Sequence, residues 1–175
     1  IALPAVERTR AEAAAHIGFG NVIKVLLRFR TRWWAERRSE LGDLSFLISD
    51  ASIPVWWTQQ PPDPAVLTGW FGGPRTEAMA HLSPDELVEV GVSSLASVFS
   101  LSPQDLAQEL VAARAINWAH DPFARGAYSY VTPETRHAVS VLADARGSTV
   151  HFSGEAMYLG PDMWTAEAAL TSGQQ

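Results

Sequence analysis

The sequence predicts an α+β fold, a mixed and mostly antiparallel sheet flanked by helices, and three observations carry that expectation. From residue 21 to 30 the apolar period is two: Ile23, Val25, Leu27 and Phe29 share one face, and Lys24, Arg28 and Arg30 lie on the other. Three short apolar runs follow, at 44–49, 54–58 and 66–71. Gly42-Asp43, Asp50-Ala51-Ser52 and the proline-bearing stretch 59–64 separate them, which is the pattern of an antiparallel meander. Ser83-Pro84-Asp85-Glu86 is a capping box with Pro at the first helical position, and Leu87, Val90, Leu95 and Val98 then recur at helical spacing to about Phe99.

The remaining elements follow in order. Pro4, Val6, Glu7, Arg10, Ala13 and Ala14 form an amphipathic helical stretch that Gly18 and Gly20 end. The strand at 21–30, the meander and the helix to Phe99 come next. Ser102-Pro103-Gln104-Asp105 opens a shorter helix, and 110–118 reads as another strand. The chain closes with a strand at 149–153, a loop and an Ala-rich helix at 163–172 stopped by Gly173. There is no internal repeat and no interdomain linker.

Composition narrows the function classes. The 175 residues suit one domain, or one large domain with an appendage, and 47% hydrophobic against 18% charged residues exclude wholesale disorder. A net charge of −6 is the wrong sign for a chain whose main partner is nucleic acid or an anionic membrane. The absence of cysteine excludes disulfides, iron–sulfur clusters and thiol chemistry. No apolar run approaches the roughly 18 residues of a spanning helix, and no basic-then-apolar leader opens the chain, so a cytoplasmic location is expected. His16, His81, His120, His137 and His151 show no paired metal-ligand spacing, so no metal is expected. Gly18-Phe19-Gly20 precedes a strand rather than following one, so it is no dinucleotide fingerprint; Gly69 to Pro74 lacks the Lys-Ser or Lys-Thr of a phosphate loop. Arg28, Arg30, Arg32, Arg37 and Arg38, interleaved with Phe29, Trp33 and Trp34, are read as a solvated strand end and not as a nucleic-acid surface.

Three segments together resemble the flavin-containing amine oxidases, the family of monoamine oxidases, polyamine oxidases and histone lysine demethylases. They are Gly18-Phe-Gly-Asn-Val-Ile-Lys-Val-Leu-Leu-Arg-Phe29, Trp118-Ala-His-Asp-Pro-Phe-Ala-Arg-Gly-Ala-Tyr-Ser-Tyr-Val131, and His151-Phe-Ser-Gly-Glu155 followed by Thr165-Ala-Glu-Ala-Ala-Leu-Thr-Ser-Gly173. The resemblance spans nearly the whole chain. It implies a substrate-binding domain over 1–145, with 146–175 belonging to the FAD-binding domain. It also implies that the chain, opening at Ile1, corresponds to the family's second half. The N-terminal dinucleotide-binding half would then be a missing partner, and these residues alone would neither retain FAD nor be active. The family's flavin-facing lysine is expected upstream of Ile1, which leaves Lys24 without a role.

Residue by residue, the resemblance implies that Gly154 and Glu155 reach the ribityl and pyrophosphate region of FAD, Gly by close backbone approach and Glu by accepting hydroxyl hydrogen bonds. Thr165 and Ala166 open a helix whose free N–H groups face the flavin pyrimidine, where hydride transfer deposits negative charge. Tyr128 matches an aromatic wall that channels an amine toward the ring, and Trp118 a tryptophan close to the isoalloxazine. Two departures stand out. Ala156-Met157-Tyr158 replaces the His-Thr that follows Gly-Glu in many members, and the second cage wall matches Thr165, with Trp164 one residue earlier, able to swing into the vacant wall or to plug the site. On composition alone Trp118 and Tyr128 would be core aromatics, Gly154 a loop glycine and 163–173 an ordinary terminal helix.

The expected function is oxidation of a primary or secondary amine by hydride transfer to FAD and reoxidation by oxygen. The rival readings are a non-catalytic binding module or structural remnant with Trp164 filling the old site, and, last, a related flavin enzyme acting on C–C or ring C–N bonds.

Overall fold

The structure is a computed structural model that describes residues 8–59, 64–144, 146–147 and 149–174. In chain order its elements are α1 (Arg8–Ala14), β1 (Gly18–Phe19), β2 (Val22–Phe29), α2 (Trp33–Arg37), β3 (Phe46–Ile48), β4 (Val55–Thr58), β5 (Val66–Gly72), α3 (Pro74–Ala78), α4 (Pro84–Phe99), α5 (Pro103–Gln108), β6 (Leu110–Asn117), β7 (Ser129–Tyr130), α6 (Thr135–Ala143) and α7 (Ala166–Gln174). Short 3-10 turns lie at Ser39–Leu41, Trp118–His120 and Glu155–Met157. The chain divides into two compact units: Asn21–Arg125, and the described parts of Ile1–Gly20 with Gly126–Gln175.

In the first unit the strands lie in the order β3-β4-β5-β2-β6, and every pairing is antiparallel. The meander expected from the three apolar runs is β3-β4-β5. The period-two strand is β2, with Ile23, Val25, Leu27 and Phe29 all buried. These side chains meet Trp56, Leu67 and Phe71 of the neighbouring strands and Leu87 and Leu95 of α4 in one cluster. Each such burial is worth about 1.5–3 kcal/mol. Gly91 lets α4 come close, because a Cβ there would lie 2.7 Å from Cγ1 of Val25. The capping box is present at both ends: the Glu86 amide donates to Ser83 Oγ, and the Ser83 amide to Glu86 Oε2 at 2.8 Å. Trp33 and Trp34 are buried, edge-on to Phe29 at 5.6 and 6.2 Å, while Arg28, Arg30, Arg37 and Arg38 are exposed. The aromatic members of that run are therefore core.

The second unit is discontinuous in sequence. Ala13 of α1 packs against Ala138 and Leu142 of α6, and β1 pairs antiparallel with β7, Gly18 opposite Tyr130 and Phe19 opposite Ser129. The part of the first expected helix at residues 4–7 lies outside the described residues.

Three expectations are corrected. The strand at 149–153 does not form, so the C-terminal strand-loop-helix is an irregular segment, a 3-10 turn and a helix. The physical reason lies in its bonding: the buried Arg10 guanidinium donates to the Val150 carbonyl at 2.7 Å, and the Gly154 amide donates to Ser172 Oγ at 3.3 Å, so side chains take the place of a neighbouring strand. The last helix runs over Ala166–Gln174 rather than 163–172, because Thr165 Oγ1 accepts from the Ala168 amide at 3.0 Å and caps it, and Gly173 lies within it. Last, the expected strand at 110–118 stops at Asn117, whose side chain accepts from the Ala119 amide and turns the chain at Trp118.

Candidate functional site

Glycines and backbone pairing set the position of Tyr128. The Gly20 amide donates to the Tyr128 carbonyl at 2.7 Å, and the Ala127 amide to the Gly20 carbonyl at 2.9 Å, extending the β1–β7 ladder to the tyrosine. Gly18 has no side chain because the Tyr130 ring lies where it would be: a Cβ would sit 2.3 Å from that ring. Tyr128 itself is 41% exposed, so it is not a core aromatic.

Glu155 joins this strand to the C-terminal segment. Its Oε1 accepts from the Ser129 amide at 3.0 Å and its Oε2 from the Ser129 hydroxyl at 2.8 Å. Gly154, immediately before it, has φ +145°, a backbone region suited to glycine, and a Cβ there would meet nothing within 4 Å. Its amide reaches Ser172 in α7. Tyr128, Gly154, Glu155, Trp164, Thr165 and Ala166 therefore belong to one compact unit, and the Gly154-Glu155 turn is bonded to both β7 and α7.

At the start of α7, Thr165 Oγ1 donates to the Asp162 carbonyl at 2.6 Å while accepting from Ala168. The amides of Ala166 and Glu167 have no intrahelical acceptor, as at any helix start. Trp164 has φ +68°, a strained left-handed conformation for a bulky residue, and the residue is 50% exposed. It does not fill a core. Trp118 lies in the other unit, half-buried in the Trp118–His120 turn.

Sequence reasoning missed Ser129 and Ser172. The signal for Ser129 was its place between two exposed aromatics in a two-residue strand, which turns it inward. It also gave no role to Lys24, which lies mid-strand on the sheet face opposite α4, with its Nζ 5.9 Å from the centre of the Trp57 ring. Among the described residues no group of three or more His, Asp or Glu side chains could hold a metal ion, and no helix is long and apolar enough to cross a membrane.

Comparison with known proteins adds an independent line. The family described as "Flavin containing amine oxidoreductase" matches residues 2–175. "Possible lysine-specific histone demethylase 1" of Drosophila melanogaster is 27% identical over 130 residues, 74% of this chain and 14% of that protein. "L-amino-acid oxidase 4" of Hebeloma cylindrosporum is 23% identical over 168 residues, 85% of this chain and 27% of that protein. The solved structure of cyclohexylamine oxidase from Brevibacterium oxydans IH-35A superposes with a TM-score of 0.71 at 22% identity, covering 99% of this chain and 37% of that one, which shows a shared fold. The chain thus spans well under half the length of each of these proteins.

Proposed function

Because the chain belongs to the flavin-containing amine oxidoreductases, we propose that the complete protein oxidises a C–N bond of a primary or secondary amine, with FAD as cofactor and oxygen as final electron acceptor. Bound flavin would supply the acceptor for the hydride that leaves the amine carbon, and the resulting iminium loses its N–H proton to solvent to give the imine.

The residues of this chain suit that cofactor in type. Ser129 occupies one acceptor site on each Glu155 oxygen, and a carboxylate oxygen has a second lone pair, so Glu155 can still accept from ribityl hydroxyls. Gly154 leaves its backbone open to close approach. The Ala166 and Glu167 amides, with the positive end of α7, offer donors to a developing negative charge. Tyr128 presents an aromatic face that steers a polar nitrogen without binding it by charge. Trp164 provides the second wall or closes it off, and Trp118 is the tryptophan that the family resemblance assigns to the flavin.

The reading draws its support chiefly from the bidentate bond of Glu155 to Ser129, which ties two of the three family-like segments together beside Tyr128. We assign the substrate-binding role to Asn21–Arg125 and the flavin-facing role to the unit of 1–20 with 126–175, in place of the expected division into 1–145 and 146–175. By itself the 175-residue chain lacks the fingerprint that grips the ADP half and retains no FAD; a stoichiometric yellow chromophore on the purified chain contradicts this. The main test is anaerobic mixing of the complete protein with a panel of amines. Bleaching of the oxidised flavin spectrum supports the enzyme reading, and an unchanged spectrum with every amine leaves the structural remnant.

A further inference from the structure

The sheet of the Asn21–Arg125 unit ends in two unlike edge strands, β6 and β3. β6 carries Arg114, and its register against β2 shifts at Arg28/Phe29, where Val111 is left without a partner; a charge and a bulge both discourage a further strand. β3 has neither device. From Leu44 to Ser49 there is no charged residue and no proline, and the pairing with β4 is regular over Phe46–Ile48.

Hydrogen bonds alternate along an antiparallel pair, and that alternation fixes which groups of β3 are free. The Thr58 amide donates to the Ser45 carbonyl at 3.2 Å and the Ser49 amide to the Pro54 carbonyl at 2.8 Å, so the bonds toward β4 fall at Ser45, Leu47 and Ser49. The amides and carbonyls of Phe46 and Ile48 therefore turn to the open edge. Their side chains are open too, at 67% and 78% exposed. Phe46 leans on the Trp57 ring at 6.3 Å and Ile48 lies opposite Val55, so the apolar strip runs from within the sheet out to its rim. One short strand thus offers both the bonds and the apolar contact that a further strand needs.

We propose that β3 pairs antiparallel with β3 of a second copy of this chain, about a two-fold axis at Leu47, and so joins two five-stranded sheets into one. A two-fold contact requires a patch complementary to itself, and β3 supplies one. With Leu47 set against its own copy, Phe46 of each chain faces Ile48 of the other. These are the positions whose backbone groups turn outward, so they meet as hydrogen-bonded pairs and exchange four bonds, while each aromatic ring meets a β-branched side chain. In the same register Asp50 falls opposite Leu44 and Asp43 opposite Ala51, so no acid faces an acid in a chain of net charge −6. A foreign strand could make the backbone bonds, but a second copy brings the matching Phe and Ile by identity. The contact is small, well under the roughly 1,200 Å² of a stable interface, so association is weak and reversible, with a dissociation constant on the order of 100 μM. The inference does not draw on the amine-oxidase reading.

Sedimentation equilibrium of the complete protein, from about 5 to about 300 μM, tests it, and a reversible monomer–dimer equilibrium is expected. Phe46→Lys and Ile48→Glu, each alone, should weaken the dimer about tenfold, since each spoils both cross-strand pairs. Combined in one chain they should bind about threefold tighter than either alone, because the two substituted positions face each other with opposite charge. That gain should fade at high salt. Ile48→Pro removes an outward amide and leaves the bonds to β4 in place, as proline does on an edge strand, and should abolish the dimer. Damage to the fold cannot mimic the pattern, since a second damaging change would not restore association. A protein that stays monomeric throughout, a dimer that neither single substitution weakens, or a double variant no tighter than the single ones overturns the inference.

Discussion

Both oxygens of Glu155 are tied to one buried residue, Ser129, and that makes the two substitutions at 155 unequal. Glu155→Ala strands an amide and a hydroxyl, at a cost of about 1–3 kcal/mol. Glu155→Gln keeps a carbonyl for the Ser129 amide, and the hydroxyl can reverse to accept from the new NH2, so stability should change little. Chemical denaturation of the two variants checks this, and equal losses would show that the Ser129 bonds carry no weight. Trp164 offers the opposite sign. Its left-handed backbone costs about 1–2 kcal/mol, against about 0.5–1 kcal/mol for the extra chain entropy of glycine. Trp164→Gly should therefore stabilise the protein by up to about 1 kcal/mol in the same measurement, and a net loss would mean that the half-exposed residue packs better than its exposure implies. The roles proposed for Tyr128, Gly154 and Thr165 were legible only through family resemblance, because an exposed tyrosine, a loop glycine and a capping threonine have ordinary structural uses. The pairing of Glu155 with Ser129 was not legible at all, since it joins positions 26 apart across an irregular segment.

At the level of elements, α4 shows what local sequence can specify. Its capping box holds the Glu86 carboxyl below the usual carboxylate range, first through the Ser83 amide and then through its hydroxyl. A carboxyl whose pKa is lower folded than unfolded contributes stability above its unfolded pKa and loses it as pH falls through the carboxylate range. Amide exchange in the first turn of α4 should accordingly quicken on acidification, and Glu86→Gln should flatten that dependence; an unchanged pH profile in the variant would remove Glu86 from the account. Gly91→Ala sets helix propensity, favourable by about 1 kcal/mol, against overpacking on the fully buried Val25, unfavourable by about 1–3 kcal/mol. Thermal unfolding should show net destabilisation, and a raised midpoint would mean that α4 can slide away. β2 and α4 were readable because each has one buried face and clean punctuation. α6 was overlooked although Thr135, Ala138, Val139 and Leu142 recur at helical spacing, since its buried face carries a Thr and an Ala where larger apolar residues would have drawn notice. The expected strand at 149–153 failed for the reverse reason: its alternation was adequate, but a strand needs a neighbour, and the neighbour here is the guanidinium of Arg10.

For the whole molecule, the five-stranded unit holds most of the buried apolar side chains, and the other unit rests on a small cluster around Ala13, Ala138 and Leu142. Leu95→Ala, at a fully buried position, should cost about 2–5 kcal/mol, while Leu170→Ala, exposed on α7, should stay within about 0.5 kcal/mol. Similar losses at both sites, read from denaturant midpoints, would contradict this placement of the core. The interleaving of the two units along the chain has a further consequence, for the order of events during synthesis. Arg10 reaches across 132 positions to the carbonyl of Leu142, so at about 5–20 residues per second α1 leaves the ribosome roughly 7–26 s before α6 is made. Meanwhile the intervening sheet can close on itself: Ile23 pairs with Asn117, and the Asn21 and Asn117 side chains bond at 2.9 Å, which brings the ends of the inserted stretch together. Its folding shortens the loop that the late pairing of β1 with β7 must close. Until then α1 is a helix without its partner, and any chaperone or protease acting in that interval meets Arg10 before its carbonyls exist.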